Sequence, residues 1–440
     1  MTLLQEAIHA PAFARRIAYL GTENAFKIGP LIREVEQTGK SVIKCNLGEP
    51  DFPLPAHIAE AVKRQIDLGQ THYVDAQGIE PLRIAVARTA GEKRGIDIKP
   101  DRVVVFPGAK PPIGFAQMVY CDPGDQVIYP SPGFPIYESF TRFVEALPIP
   151  LHLREENDFM FSASDLELMI GARTKLLFLN FPSNPTGAVA SLPKLAEIAS
   201  IVRRAGSDAL RVYSDEVYED IVFDGLKHES IASLPGMQER TIIVGGVSKS
   251  FAWTGGRVGW AIFPTAQEAS AFRNLNINFF SCVPAYNQFG AAVALESPES
   301  AVSIAAMVDA FTRRRDVVVS GLNDIEGITC RTPKGAFYAF PNITGVCRAL
   351  GVFDAYGTLS KALRDRLSPS TLFQLFLLYH YQVATLDRRS FGVLGSDGEH
   401  YLRISIATGM DALKEAVRRI GAASKDRAGF RRFFDEGRYA

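Results

Sequence analysis

The sequence lacks net charge: its 48 lysines and arginines are balanced by 48 aspartates and glutamates over 440 residues. A chain so balanced offers neither the basic stripe that nucleic acid requires nor the cationic face that draws a protein to a membrane. It also lacks a long hydrophobic run. The nearest stretch, 372–381, falls well short of the roughly 18 apolar residues of a membrane span. Cysteine is scarce and odd in number: Cys45, Cys121, Cys282, Cys330 and Cys347 stand apart with no CxxC pair. That spacing speaks against a disulfide framework and against any metal site built on cysteine. It fits a reduced, cytoplasmic protein. Repeats and low-complexity tracts are missing too, so solenoids, fibres and disorder drop out.

What is present is apolar material for a large core, at 47% hydrophobic against 22% charged residues. Short β-branched or apolar runs recur at 102–106 (RVVVF), 126–129 (QVIY), 175–181 (KLLFLNF), 210–213 (LRVY) and 241–244 (TIIV). Each is followed by a Gly, Pro, Asn or Ser loop and then a helical pattern. Strands alternating with helices predict an α/β fold with a mostly parallel sheet buried on both faces. From about Thr312 the pattern changes to charged helices with isolated strands at 336–340 and 402–407, which predicts a smaller α+β domain reached through a long helix near 303–322. Residues 1–21 read as an amphipathic opening helix rather than a secretory leader, having an early glutamate and two arginines. The arginine- and aromatic-rich 425–440 reads as a frayed terminus, with a docking tail as the alternative.

In parallel sheets, ligands gather beyond the carboxyl ends of the strands. After RVVVF comes Pro107-Gly108-Ala109-Lys110-Pro111-Pro112, a glycine turn feeding a helix start, where free N–H groups and the helix dipole favour an anion. Lys110 stands out there, since a cation at a helix N-terminus is disfavoured without an anion nearby. After KLLFLNF comes Ser183-Asn184-Pro185-Thr186-Gly187, either a tight turn or a loop presenting the Asn184 amide. After RVY come Asp215 and Tyr218, three apart, which point the same way if a helix begins there; an N-cap is the plainer role for Asp215 alone. After TIIVGG, Ser248 and Lys249 lead into a glycine-rich loop that reaches Arg257. Desolvation among aromatics lowers a lysine's pKa and makes it a usable amine nucleophile, although a loop lysine by default is solvated. Taken together, the four loops supply an anion nest, an amide, an acid–tyrosine pair and a lysine–arginine pair. That is equipment for a phosphorylated aromatic cofactor held by a lysine.

In these motifs the chain resembles the class I/II aminotransferases, the pyridoxal 5'-phosphate enzymes of fold type I. It is similar above all to bacterial aspartate and prephenate aminotransferases. The resemblance runs from Asn46-Leu47-Gly48-Glu49-Pro50 through Tyr73, Gly108-Ala109-Lys110, Pro132-Gly133-Phe134-Pro135, SNPTG, Asp215/Tyr218 and Lys249…Arg257 to Arg403, in the family's order. It implies a large domain at 61–310 on a mostly parallel seven-stranded sheet flanked by helices, and a small α+β domain at 311–440 joined by 1–60. It implies that Lys249 carries the cofactor and shuttles the proton, and that Asp215 pairs with the pyridinium nitrogen. Asn184 and Tyr218 would serve the ring oxygen, and Phe134, otherwise a core aromatic, would stack on the ring. Gly108, Ala109, Lys110, Ser248 and Arg257 would hold the phosphate. Tyr73 would reach the phosphate of a neighbouring subunit, implying a homodimer with shared sites. Arg403 would grip the substrate α-carboxylate beside Gly48 and Asn184, a strand-end ion pair being its plainer role.

The implied reaction is a ping-pong exchange of an amino group between an amino acid and a 2-oxo acid; a lyase or decarboxylase of the same fold type is the alternative. Lys110 matches a lysine that some bacterial relatives use toward a distal carboxylate, so aspartate or glutamate is the expected donor. Phe279 and Phe280 are candidates for the pocket wall, and Arg388 or Arg389 for a second cation. Where the family commonly has Pro-Gly, this chain reads Thr385-Leu386-Asp387-Arg388-Arg389-Ser390, and 356–370 is longer than usual.

Overall fold

The computed structural model describes residues 13–21 and 24–439, the side chains of 24–26 excepted. Seven strands form its central sheet: β1 (Val103–Phe106), β2 (Gln126–Ser131), β3 (Leu147–His152), β4 (Thr174–Asn180), β5 (Arg211–Asp215), β6 (Thr241–Gly246) and β7 (Gly259–Ile262). Their order is β1-β7-β6-β5-β4-β2-β3. Only β7 runs against its neighbours; the other pairs are parallel. Side chains alternate between two apolar layers: Val103 and Val105 join one cluster, Val104 and Phe106 another. A sheet covered on both faces is what continuous runs such as RVVVF require.

Two strands went unread in the sequence. β3 carries Pro148 and Pro150, which look incompatible with a ladder, but β3 pairs only with β2 at the sheet edge. β7 (GWAI) is short and opens on glycine.

The carboxyl ends of β1, β4, β5 and β6 lie on one edge of the sheet, because β7 reverses between β1 and β6. Register brings Asn180 beside Asp215, and Asp215 beside Val244. The functional loops therefore converge by topology.

Outside this sheet, Leu386–Asp387 pairs with Leu402–Ser405, which pairs with Tyr338–Ala339. Ile43–Lys44 pairs in parallel with Val383–Ala384. A 26-residue helix, Pro298–Asn323, covers the expected connector; Pro298 stands in its first turn, after an N-cap in which Ser297 accepts from the N–H of Glu299. The apolar stretch at 372–381 lies in the helix Pro369–Tyr381, buried along most of its length. Among the described residues no single helix is long and apolar enough to cross a membrane.

Three local expectations are corrected. No helix follows Asp215, which ends β5 and leads into turns. The tail is not frayed over its described residues: Arg427–Glu436 is a helix whose Phe430 and Phe433 are buried against Phe376, at ring separations of 5.6 and 5.7 Å. The opening segment shows only a short 3₁₀ turn, Arg15–Tyr19, and residues 1–12 lie outside the described residues.

Candidate active site

A cavity of about 520 Å³ opens over the converging strand ends. It is lined by Gly48, Ala109, Lys110, Phe134, Asn184, Asp215, Tyr218, Ser248, Lys249, Arg257 and Arg403, so the structure brings together nearly every residue singled out above. A space of this size suits a cofactor with a small substrate.

Beyond β1 the chain turns at Gly108 (φ +92°) into the helix Pro111–Tyr120. A Cβ on Gly108 would lie 2.3 Å from a terminal nitrogen of Arg257, so only glycine lets that guanidinium approach. Arg257 is fixed by donating to the carbonyls of Thr254 (2.7 Å) and Pro107 (3.1 Å). Its charge, Ser248 and the helix N-terminus thus face one space, a cradle for an anion.

At the end of β5, Asp215 is buried. Tyr137 donates its hydroxyl to Oδ2 at 2.6 Å, while Oδ1 has no hydrogen-bond partner among the described residues. Burial pushes the carboxyl up to about 6, opposed by Tyr137, the Val217 N–H and the charge of Lys249. A buried acceptor without a donor is costly unless a ligand N–H meets it.

Behind this acid, Glu216 receives Arg94 at 2.5 Å and the His228 Nε2–H at 2.8 Å. Arg94 also reaches Glu219 at 2.5 Å. These charges hold both carboxyls well below the usual carboxylate range.

Lys249 lies on the one-turn helix Val247–Ser250 after β6 and donates to the carbonyl of Gly48 at 2.5 Å. The Tyr218 hydroxyl meets that of Tyr338 at 2.8 Å. Arg403, on Leu402–Ser405, is buried; it donates to Asn184 Oδ1 (3.0 Å) and to the carbonyl of Asn46 (2.6 Å). Its guanidinium carbon lies 4.3 Å from the Tyr338 ring and 4.9 Å from that of Phe391. The Lys110 ammonium sits 5.7 Å from the Phe134 ring.

Gly108 shapes the turn without lining the cavity, and Tyr73, 87% exposed, does not line the cavity of its own chain. Phe279 and Phe280 are not cavity walls; both are exposed and pack on Phe115. Arg388 is wholly buried and ion-paired with Glu399, and Arg389 donates to the Asp365 carbonyl; neither reaches the cavity, although Ser390 and Phe391 do. Tyr137 and Tyr338 were missed, because each acts by touching a residue far away in sequence. The run AFYAF marked only a strand.

Residues 40–420 match the family model for aminotransferase class I and II. The chain belongs to that family. A protein described as a probable aspartate/prephenate aminotransferase from Aquifex aeolicus is 33% identical to this aminotransferase, over 94% of this chain and 98% of its own. An aromatic-amino-acid aminotransferase 2 from Thermococcus litoralis is also 33% identical, over 94% and 99%. The crystal structure of aspartate aminotransferase from Rhizobium meliloti superposes with a TM-score of 0.82 at 33% identity, covering 94% and 98%. Enzymes of this family use pyridoxal phosphate to move amino groups between amino acids and 2-oxo acids. The aminotransferase's own atoms fit that cofactor: the unmatched Asp215 Oδ1 suits a ring N–H, and the cradle at Gly108 and Arg257 suits a phosphate.

Proposed function

We propose that this aminotransferase takes the amino group of an acidic donor, aspartate or glutamate, and passes it to a 2-oxo acid in two half-reactions. Relatives of equal likeness carry aspartate and aromatic names, so the donor rests on geometry. Four cations line the cavity: Lys110, Lys249, Arg257 and Arg403. Three have work that any donor requires. Lys110 lines the cavity with its ammonium 5.7 Å from the Phe134 ring, a cation in reach of bound substrate, and its position there supports its meeting a distal carboxylate.

Bound pyridoxal phosphate supplies an electron sink for the carbanion left at the substrate Cα. Asp215, once ionised, would pair with the ring nitrogen and keep it protonated by opposite charge. The Ala109 and Lys110 N–H groups, Ser248 and Arg257 hold the phosphate, with Tyr73 from a second copy of the chain. Phe134 would stack on the ring, and Asn184 and Tyr218 would serve its oxygen. Arg403 grips the α-carboxylate with its planar fork, beside Gly48 and Asn184. Lys249 would hold the cofactor, and its Nζ, as a free amine, would take the Cα proton and return it. The hydrogen bond from Lys249 to the Gly48 carbonyl supports a role for that carbonyl in steadying the amine.

This reading includes a homodimer with shared sites. It includes a large domain at 61–310 and a small one at 311–440 joined by 1–60, which the pairing of Ile43–Lys44 with Val383–Ala384 supports. Five free cysteines suit a cytoplasmic location.

Lys110→Ala tests the donor. The KM for aspartate and glutamate should rise about tenfold or more, with alanine and phenylalanine changed less than about threefold. An equal loss for all donors would assign Lys110 to the phosphate alone.

A further inference from the structure

The segment 387–399 is organised around a buried charge. Arg388 has no exposed surface. Its Nε meets Glu399 at 2.5 Å, and its terminal nitrogens donate to Ser131 Oγ (3.0 Å) and to the carbonyls of Gly392 (3.1 Å) and Gly395 (3.3 Å). The amides of the same stretch find a buried acid: Glu138 Oε2 accepts from the N–H groups of Val393 (2.9 Å) and Leu394 (3.2 Å). A guanidinium is tolerated out of water only where its donors are met, so the conformation of 387–399 and the satisfaction of Arg388 are a single condition. Lysine, a point charge with three donors, would not supply the same planar fork.

The consequence reaches the cavity through Phe391. Its carbonyl accepts from the N–H of Gly133 at 2.9 Å, and its ring lies 4.9 Å from the Arg403 guanidinium carbon while lining the cavity. An aromatic face against a desolvated guanidinium is attractive and restricts its orientation.

We propose that Arg388 is a positioning residue for substrate binding: by folding 387–399 around its guanidinium it seats Phe391 on Arg403 and holds that arginine ready for the α-carboxylate. The proposal rests on the reading of Arg403 given above.

The test uses holoenzyme carrying Arg388→Ala, the milder Glu399→Gln, Arg403→Ala, and Arg388→Ala combined with Arg403→Ala. KM and kcat for aspartate are measured together with the dissociation constant of pyridoxal phosphate. KM should rise about tenfold in Arg388→Ala and about threefold in Glu399→Gln, with kcat and cofactor affinity within about twofold of the parent. Added to Arg403→Ala, Arg388→Ala should change KM by less than about twofold, since both act through one group. Should Arg388→Ala not fold, Glu399→Gln, whose side chain is 30% exposed, decides alone. A loss that falls on kcat or cofactor affinity, or that adds in full to Arg403→Ala, overturns the proposal. Unchanged KM in both loop variants beside a raised KM in Arg403→Ala sinks it alone. Unchanged KM in Arg403→Ala sinks the carboxylate reading, and the proposal with it.

Discussion

Burial lifts the Asp215 carboxyl to about 6, while the Tyr137 hydroxyl at 2.6 Å pulls the other way. In the cofactor-free protein this acid is therefore a liability. The folded chain retains a proton on Asp215 at pH values where the unfolded chain has lost it. Stability should fall as pH rises from about 4 to 6, by up to about 3 kcal/mol from this group, and show no further loss from it above that. Urea unfolding of the dialysed protein across pH 4–7 measures the slope, and Asp215→Asn should flatten it. An identical slope in the variant would contradict this account of the acid. The sequence made Asp215 legible because it stands at a strand's end. Tyr137 was not, because its role is a contact across 78 residues that no local pattern encodes.

At the scale of elements, the site depends on a sheet whose reversed strand β7 puts the useful strand ends on one edge. Most of those strands were readable as β-branched runs. β3 was hidden by prolines that only an edge tolerates, and the tail helix by charges that mask Phe430 and Phe433. The turn after β1 is the most constrained link. Gly108→Ala should displace Arg257 and cost about 1–2 kcal/mol of stability through its left-handed backbone. Its larger effect should be on pyridoxal phosphate, whose dissociation constant should rise about tenfold or more, since a charge-assisted contact is lost. Equilibrium dialysis of the variant checks this, and an unchanged affinity would remove Arg257 from the phosphate site. Arg388 shows the opposite limit of sequence reading: a loop arginine looks solvated until the fold buries it.

At the scale of the whole molecule, the exposed Tyr73 is a tyrosine in want of a role within its own chain. The shared active sites proposed above would supply one. Tyr73→Phe should weaken pyridoxal phosphate about fivefold in the dimer and leave Tm unchanged, because so exposed a hydroxyl adds little to folding. Sedimentation and cofactor titration on the same samples check it. A single-chain species with full cofactor affinity would contradict the shared site.

The central claim, amino transfer from an acidic donor, is tested most directly by one half-reaction. The yellow holoenzyme is mixed with aspartate and no oxo acid, following the visible spectrum and the products released. Loss of the yellow absorbance with one equivalent of 2-oxo acid per site is the result predicted. Continuous release of ammonia or carbon dioxide with the colour persisting would contradict it and make the protein a lyase or decarboxylase.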